Sequence, residues 1–390
     1  MNKKYDAMIV GGGMVGAAMA LGLGQAGWQV AVLESTLPID YDPTSKPDLR
    51  ISAIGYKTVQ LLKRLGAWPH IEAMRLAPYR QLKTWEWQIS TVEFTAQSLG
   101  LAELGYMVEN SVLQRGIWQQ FSVYPNLEVL CPVKLKTMYR QENEWQLELD
   151  NNQSINASLV IGADGAESYV RQLSGIGLSG WQYRQSCMLI SIKTGKEQQD
   201  MTWQQFYPSG PRAFLPLFDS WASLVWYDSA QRISQLCQLS PEKLHAEIKH
   251  YFPEQLGDIE VVSAASFPLI RRHAQHYIKP GLALIGDAAH TINPLAGQGV
   301  NLGYRDVEAL LDVLIDAREK HEDWHSESVL KHYQFKRYPD NLLMQTGMDA
   351  FYHAFSNDIL PIKIVRNVGL MAAQRAGKLK EWALKYAIGV

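Results

Sequence analysis

The sequence predicts an α/β protein: a Rossmann-like dinucleotide-binding domain, with a βαβ unit and a βββ meander, an inserted β-sheet-rich domain, and a helical C-terminus. Three observations predict it. A Gly-x-Gly-x-x-Gly turn at Gly11, Gly13 and Gly16 joins a short apolar stretch to a run of small apolar residues. Two more turns that close apolar stretches, Gly162-Ala163-Asp164-Gly165 and Gly286-Asp287, follow far downstream. Between them, Cys187 to Phe267 is dominated by β-type segments such as Ala222 to Tyr227.

Tyr5 to Val10 reads as a buried strand, Met14 to Ala26 as a helix and Trp28 to Glu34 as a second strand, one complete βαβ opening. A Pro- and Asp-rich loop from Ser35 to Asp48 leads past Arg50 to a helical pattern with Val59, Leu61, Leu62 and Leu65, ending near Gly66. Tyr79 to Phe94 alternates as a strand, Ser111 to Phe121 returns to helix, and Leu127 to Leu149 supplies the meander. Ser158 to Ile161 and Leu282 to Ile285 are strands that run into the later turns. Pro241 to Phe252 interrupts the sheet-rich part as an amphipathic helix, and a long helix runs from Gly299 to Ala317. The nucleotide domain is therefore expected in three pieces, 1–78, 101–184 and 272–335. The inserted substrate domain comes in two, 79–100 and 185–271, and residues 336–390 form the helical C-terminal region.

At 390 residues the chain exceeds one compact core. Its net charge of -2 gives no overall pull toward nucleic acid. Cys131, Cys187 and Cys237 are odd in number and widely spaced, and read as small apolar residues of a reducing compartment. The histidines form no metal-ligand spacing, so no metal is expected. Lys3 and Lys4 before the uncharged stretch Ala7 to Gly24 imitate a signal peptide, but glycines at 11, 12, 13, 16, 22 and 24 favour strand-turn-helix.

In such a turn Gly11 makes the tight bend, Gly13 admits a pyrophosphate to the backbone, and Gly16 lets helix pack on strand. The helix start supplies N–H donors and positive dipole, and Glu34 would accept hydrogen bonds from a ribose diol. Alone, this pattern leaves FAD and NAD both open.

Adding Ser168 and Arg171 after Asp164, and Ala288-Ala289-His290 after Asp287, the motif order resembles that of the single-component flavin aromatic hydroxylases. The resemblance implies FAD as cofactor, with Asp287 on its ribityl chain, and Asp164 where flavin and nicotinamide nucleotide approach. Arg50 matches the flavin-facing arginine and Gln114 the polar residue on cofactor ribose or phosphate, a job that Arg115 could also do. Plainer readings stand beside these: Arg50 as a loop cap, Gln114 as a solvated helix residue, Asp164 as an N-cap of the helix through Val170.

The segment from Pro294 through Gly297, Gly299, Val300 and Asn301 to Gly303, with Asp306 beyond, resembles the ubiquinone-biosynthesis hydroxylases. Small residues there would let the backbone lie against the isoalloxazine, with helix N–H groups aimed at its pyrimidine edge. The family's histidine before this proline is replaced by Asn293, and His290 reads as a structural hydrogen-bonding residue. Blocks Leu82 to Trp87, Gly105 to Asn110 and Pro211 to Leu217 look like the branch that acts late, on 2-octaprenyl-3-methyl-6-methoxy-1,4-benzoquinol.

What the resemblance implies is a monooxygenase: reduced FAD takes O2 at C4a as a hydroperoxide and delivers the distal oxygen to an electron-rich quinol carbon. No catalytic base is assigned, and electrons come from NAD(P)H or from a partner reductase. Competing readings are a sibling hydroxylase acting at another ring carbon, a flavin reductase or oxidase, and a non-catalytic flavin-bearing scaffold of a biosynthetic complex. Trp85, Trp87, Trp203, Phe206, Phe214, Phe218 and Trp226 are the aromatic candidates for the substrate pocket, most of them core by alternation. The tail from Ile359, rich in Lys and Arg, reads either as a membrane- or partner-facing surface or as a helix packed on its own domain. The expected location is cytoplasmic, peripheral on the inner membrane face.

Overall fold

The computed structural model describes residues 3–292 and 299–388. Strand Lys3–Val10 lies between Val30–Leu33 and Ser154–Gly162, parallel to both, with Leu127–Leu130 and Leu282–Leu284 further out on either side. Val30–Leu33, Leu282–Leu284 and the carboxyl-terminal halves of Lys3–Val10 and Ser154–Gly162 are buried, nearly continuous apolar runs, as parallel strands covered on both faces must be. The meander Leu135–Gln141, Glu144–Leu149 and Ser154–Gly162 is antiparallel and hangs from the same sheet. The stretch that imitates a signal peptide forms strand Lys3–Val10 and helix Met14–Gln25.

This strand order sets the site. From Lys3–Val10 the chain builds outward on one side through Val30–Leu33 to Leu127–Leu130, then crosses to Ser154–Gly162 on the other. Ligands of open α/β sheets bind in the crevice at such a reversal, beyond the carboxyl ends of the strands. Val10 pairs with Gly162, and Gly162 with Leu284. The three sequence motifs therefore leave three adjacent strands at the same edge.

The second sheet has eight strands, two from Gln81–Trp85 and Val92–Thr95 and the rest between Leu178 and Thr291. Of its two longest strands, Leu178–Thr194 begins before the β-rich stretch Cys187 to Phe267 that the sequence suggests, and Ile259–Ala274 runs on past its end. The start of the first is exposed and polar, so it lacks the alternation that marks a half-buried strand. One face is covered by helices Ala230–Leu236 and Pro241–Tyr251. Four of the aromatic pocket candidates, Trp85, Trp203, Phe214 and Trp226, are buried on that face. They are core and do not line a pocket toward the nucleotide domain. Phe206 packs on Phe355 near the C-terminal helices, and Trp87 is exposed. Phe218 alone of the seven joins the opposite face, where Leu215, Leu217 and Trp221 meet Ile51, Ala53 and Tyr56.

Those last residues belong to a small antiparallel sheet, Ile51–Gly55, Gly105–Glu109 and Ala77–Tyr79, that the sequence pattern did not announce. Its strands are only 3 to 5 residues long, too short for a periodicity to register. Of the cysteines, Cys187 is buried, Cys131 half-buried and Cys237 exposed. Cys237 departs from the small-core reading because it caps the end of the surface helix Ala230–Leu236.

The chain ends in three helices, Glu327–Phe355, Leu360–Gln374 and Lys378–Ile388. The second is held to the large sheet by a buried polar cluster. Arg366 pairs with Glu86, whose Oε2 also accepts from Asn367 Nδ2 at 2.5 Å, while Asn367 Oδ1 bonds Ser90. Removing one partner of a buried pair costs about 3–5 kcal/mol, because the other charge stays uncompensated. Glu86→Ala is therefore expected to loosen the last two helices without unfolding the nucleotide domain. Limited proteolysis should show faster cleavage after residue 355 and an unchanged main melting transition.

Candidate active site

At the first motif Gly11 has φ +102°, and a Cβ there would stand 2.5 Å from the Ala163 carbonyl oxygen. The first two motifs thus touch through backbone. Gly16 is tighter still, its Cβ position lying 1.9 Å from the Gly11 oxygen. Gly13 differs from both: it caps helix Met14–Gln25 in extended conformation, and nothing lies within 4 Å of where its Cβ would be. The helix therefore opens onto free space with no side-chain cap on its first N–H groups.

Glu34 ends the neighbouring strand, and its Oε2 accepts the Gly12 N–H at 2.8 Å. Oε1 is saturated by Ser35 N–H and Oγ and by Thr36 N–H, so a free lone pair remains on Oε2 only. Gln114 and Trp118 both donate to the Gly12 carbonyl, at 2.9 and 2.8 Å. Gln114 thereby holds the glycine turn itself. Arg115 points elsewhere, to Asp40 and the Ile39 carbonyl.

At the second motif Asp164 accepts from Ser168 Oγ at 2.5 Å and from the N–H groups of Tyr169 and Val170. With Ser168 as N-cap it fastens the start of helix Tyr169–Leu173, so its carboxylate is used as the plainer sequence reading described. Gly165, beside it, has nothing within 4 Å of its Cβ position. Arg171 is buried and donates to the carbonyls of Ala166 and Ala288, tying the second motif to the third.

At the third motif the Asp287 side chain is open to solvent, yet protein crowds around it closely enough to push its carboxyl up. His290 and Arg50 oppose that rise. Arg50 is itself exposed, and its charge reaches the same carboxyl. Behind it stands Asp306, fully buried, its Oδ2 3.0 Å from the Gly286 nitrogen and 2.5 Å from His290 Nε2. Its Oδ1 takes Arg337 Nε at 2.8 Å and Asn341 Nδ2 at 3.1 Å. Burial alone would raise this carboxyl, but His290 and Arg337 hold it down to about 2. His290 is thus committed to a structural hydrogen bond.

Gly299 opens helix Gly299–Glu319, with Val300 half-buried after it. Asn301 turns its side chain away from the cleft, accepting from Gly55 N–H and Thr58 Oγ1 and donating to the Ala53 carbonyl. It clamps the helix to the strand that follows Arg50. Pro294 and Gly297, with Asn293, lie outside the described residues.

Two pairs of candidate functional residues escaped the sequence. Ser191 and Ser223 are cross-strand partners in the large sheet, flanked by Ile190, Ile192, Ala222 and Leu224 of the helix-covered core. Alternation turns both serines to the opposite face, toward the nucleotide domain. Both are buried and, among the described residues, their hydroxyls have no hydrogen-bond partner. Arg337 and Asn341 escaped as well, since two polar residues four apart on a helix look like any solvated face.

The open helix start, the remaining lone pair of Glu34 and the wet Asp287 lie along one strand edge, which suits a dinucleotide with phosphate in the middle and polyols on either side. Comparison with known proteins agrees. Residues 4–341 match the family model described as FAD binding domain. The chain is 56% identical over 389 residues to the 3-demethoxyubiquinol 3-hydroxylase of Escherichia coli K12, covering all of both. It is 33% identical over 394 residues to ubiquinone hydroxylase UbiL of Rhodospirillum rubrum, covering all of this chain and 90% of that one. Among solved structures, p-nitrophenol 4-monooxygenase PnpA of Pseudomonas putida has the same fold, with TM-score 0.79 at 19% identity over 100% of this chain and 99% of that one. The chain therefore belongs to the FAD-binding-domain family and, within it, to the FAD-dependent aromatic monooxygenases of ubiquinone biosynthesis.

Proposed function

We propose that the chain hydroxylates the ring of a polyprenylated benzoquinol of the demethoxyubiquinol class. The printed name of the 56%-identical relative supports carbon 3 as the position attacked. That name supports the alternative sequence reading, a sibling ubiquinone hydroxylase acting at another ring carbon, better than the leading one, 2-octaprenyl-3-methyl-6-methoxy-1,4-benzoquinol as substrate. The observation that carries the proposal is the meeting of three motif turns at one strand edge, opposite an apolar face of the large sheet.

In this reading the start of helix Met14–Gln25 at Gly13 receives the pyrophosphate, Glu34 Oε2 a ribose hydroxyl, and Asp287 the ribityl chain. Arg50 offsets negative charge beside Asp287. Gln114, Asp164 and Asn301 act one step back, fixing the turns and the helix that shape the cleft. Gly299 and Val300 provide backbone against the ring. When bound, the flavin supplies electrons and activates O2, with NAD(P)H or a partner reductase as electron source. Residues 79–100 and 185–271 serve as the substrate domain, and the apolar contacts of Leu215, Leu217 and Phe218 with Ile51 and Ala53 exclude water from the ring. The protein works on the inner face of the membrane that holds its substrate.

Oxygen from labelled O2 should appear in the quinol only when quinol is present. Quinone turnover without label would make the chain a reductase or oxidase, and neither outcome would leave a scaffold. In a strain lacking the protein, the demethoxy quinone should accumulate.

Ser191 and Ser223 are the ring's hydrogen-bonding partners in this reading. A buried hydroxyl without a partner costs about 1–3 kcal/mol, and a ligand oxygen offsets that cost. Ser191→Ala and Ser223→Ala are therefore expected to leave the melting temperature unchanged or slightly higher. The same variants should raise the quinol KM about tenfold, in line with one lost hydrogen bond of about 1.4 kcal/mol, and release more peroxide per turnover.

A further inference from the structure

Helix Leu360–Gln374 is amphipathic in the wrong sense for a soluble surface. Its inward row is Lys363, Arg366, Asn367 and Leu370, spaced three and four apart, and Arg366 and Asn367 are buried in the cluster with Glu86. The outward row is apolar: Leu360 is 62% exposed, Val365 71% and Val368 52%. An ordinary surface helix buries its apolar stripe and solvates its charges. Here a polar rivet fixes the helix so that the apolar stripe must face out. On the next helix Leu379 and Trp382 are 66% and 63% exposed.

The charges around this patch choose its occupant. Of the six Lys or Arg in residues 358–388, Arg366 is neutralised by Glu86 and Lys363 by Asp358, which leaves Arg375, Lys378, Lys380 and Lys385 against Glu381, in a chain whose net charge is -2. Arg375, Lys378 and Lys385 are exposed near the apolar stripe. Apolar side chains with a tryptophan among them, ringed by cations, match the interface of an anionic bilayer. No helix among the described residues is long and apolar enough to cross a membrane, so the fit is to a surface.

We propose that helices Leu360–Gln374 and Lys378–Ile388 form a docking surface for an anionic phospholipid bilayer, with Leu360, Val365, Val368, Leu379 and Trp382 entering the acyl boundary. The lipid gives the surface its purpose under the quinol reading above, since a polyprenyl tail resides in the same bilayer.

The test is flotation of the FAD-loaded full chain with vesicles of three parts phosphatidylcholine to one part phosphatidylglycerol, and with phosphatidylcholine alone. The wild type should float with the first and poorly with the second. Val365→Asp combined with Val368→Asp should cut the floated fraction by about tenfold or more, with flavin content and turnover of a short-tailed soluble quinol unchanged. A wild type that stays at the bottom overturns the proposal, as does equal flotation of the variant or equal flotation on both lipids. A wild-type dimer that the same substitutions split also overturns it, making the patch a contact between copies. Label transfer to the short-tailed quinol reads the catalytic assignment separately, so loss of one result leaves the other standing.

Discussion

Gly16→Ala is expected to abolish flavin retention, whereas Gly13→Ala, three residues away in the same motif, leaves the fold intact and weakens only the cofactor's grip. The Gly16 Cβ position lies 1.9 Å from the Gly11 carbonyl oxygen and 2.9 Å from the Ala163 Cβ. Backbone cannot swing aside as a flexible side chain can, so helix and strand must separate at the point where the first two motifs touch. Overpacking of this kind costs about 3 kcal/mol or more. Gly13 has φ -66° and ψ -177°, which alanine adopts freely, and nothing lies within 4 Å. The stability of the Gly13 variant should change by about 1 kcal/mol or less, the cost of a poorer cap. Under the cofactor placement proposed above, however, the added methyl fills the space a pyrophosphate needs. A rise in FAD Kd on the order of tenfold follows, about 1.4 kcal/mol. Flavin absorbance per protein, thermal melting and FAD titration of the stripped protein measure all three quantities. Equal effects at the two glycines would remove the distinction between a packing glycine and a phosphate glycine.

That distinction marks what the sequence could and could not reveal. The βαβ unit was legible because strand, glycine turn and helix each have a local signature within one stretch of chain. The later Asp-Gly and Gly-Asp turns were legible as motifs, and their strands Ser154–Gly162 and Leu282–Leu284 as apolar runs. What each carboxylate does was not. Asp164 and Asp287 follow apolar strands in similar fashion, yet one caps a helix and the other stands wet in the cleft. The difference depends on whether a helix start lies within reach, a three-dimensional fact. Gln114 and Asn301 were singled out as cofactor-binding residues, whereas their amides hold backbone, of the glycine turn at Gly12 and of the strand at Ala53. The aromatic candidates failed for a related reason. Trp85 and Trp226 are on strands that alternate correctly, and alternation cannot say which face the covering helices occupy.

The largest effect away from the cleft is expected at Asp306, for which Asn substitution should destabilise the third motif and free the flavin together. The wild-type carboxylate has no exposure and accepts from Gly286 N–H, His290, Arg337 and Asn341. An amide keeps the shape but brings two N–H donors to a place already surrounded by donors, and it leaves Arg337 without its buried partner. A loss of about 3–5 kcal/mol follows. Asp340 also pairs with Arg337 but is partly exposed, so Asp340→Asn should cost under about 1 kcal/mol. The pair of variants thus separates burial from charge. The pH dependence adds a signed test. Because the folded carboxyl is held down to about 2, below its ordinary value of 3.8, its charge stabilises the fold fully above the ordinary range. That contribution fades as pH falls from about 4 toward 2, where the native carboxylate itself takes up a proton. Wild type and Asp306→Asn should therefore differ most in melting temperature near neutrality and converge at the acid end. A gap that stayed constant down to pH 2 would mean that the carboxylate's charge is not what holds Gly286-Asp287 in place.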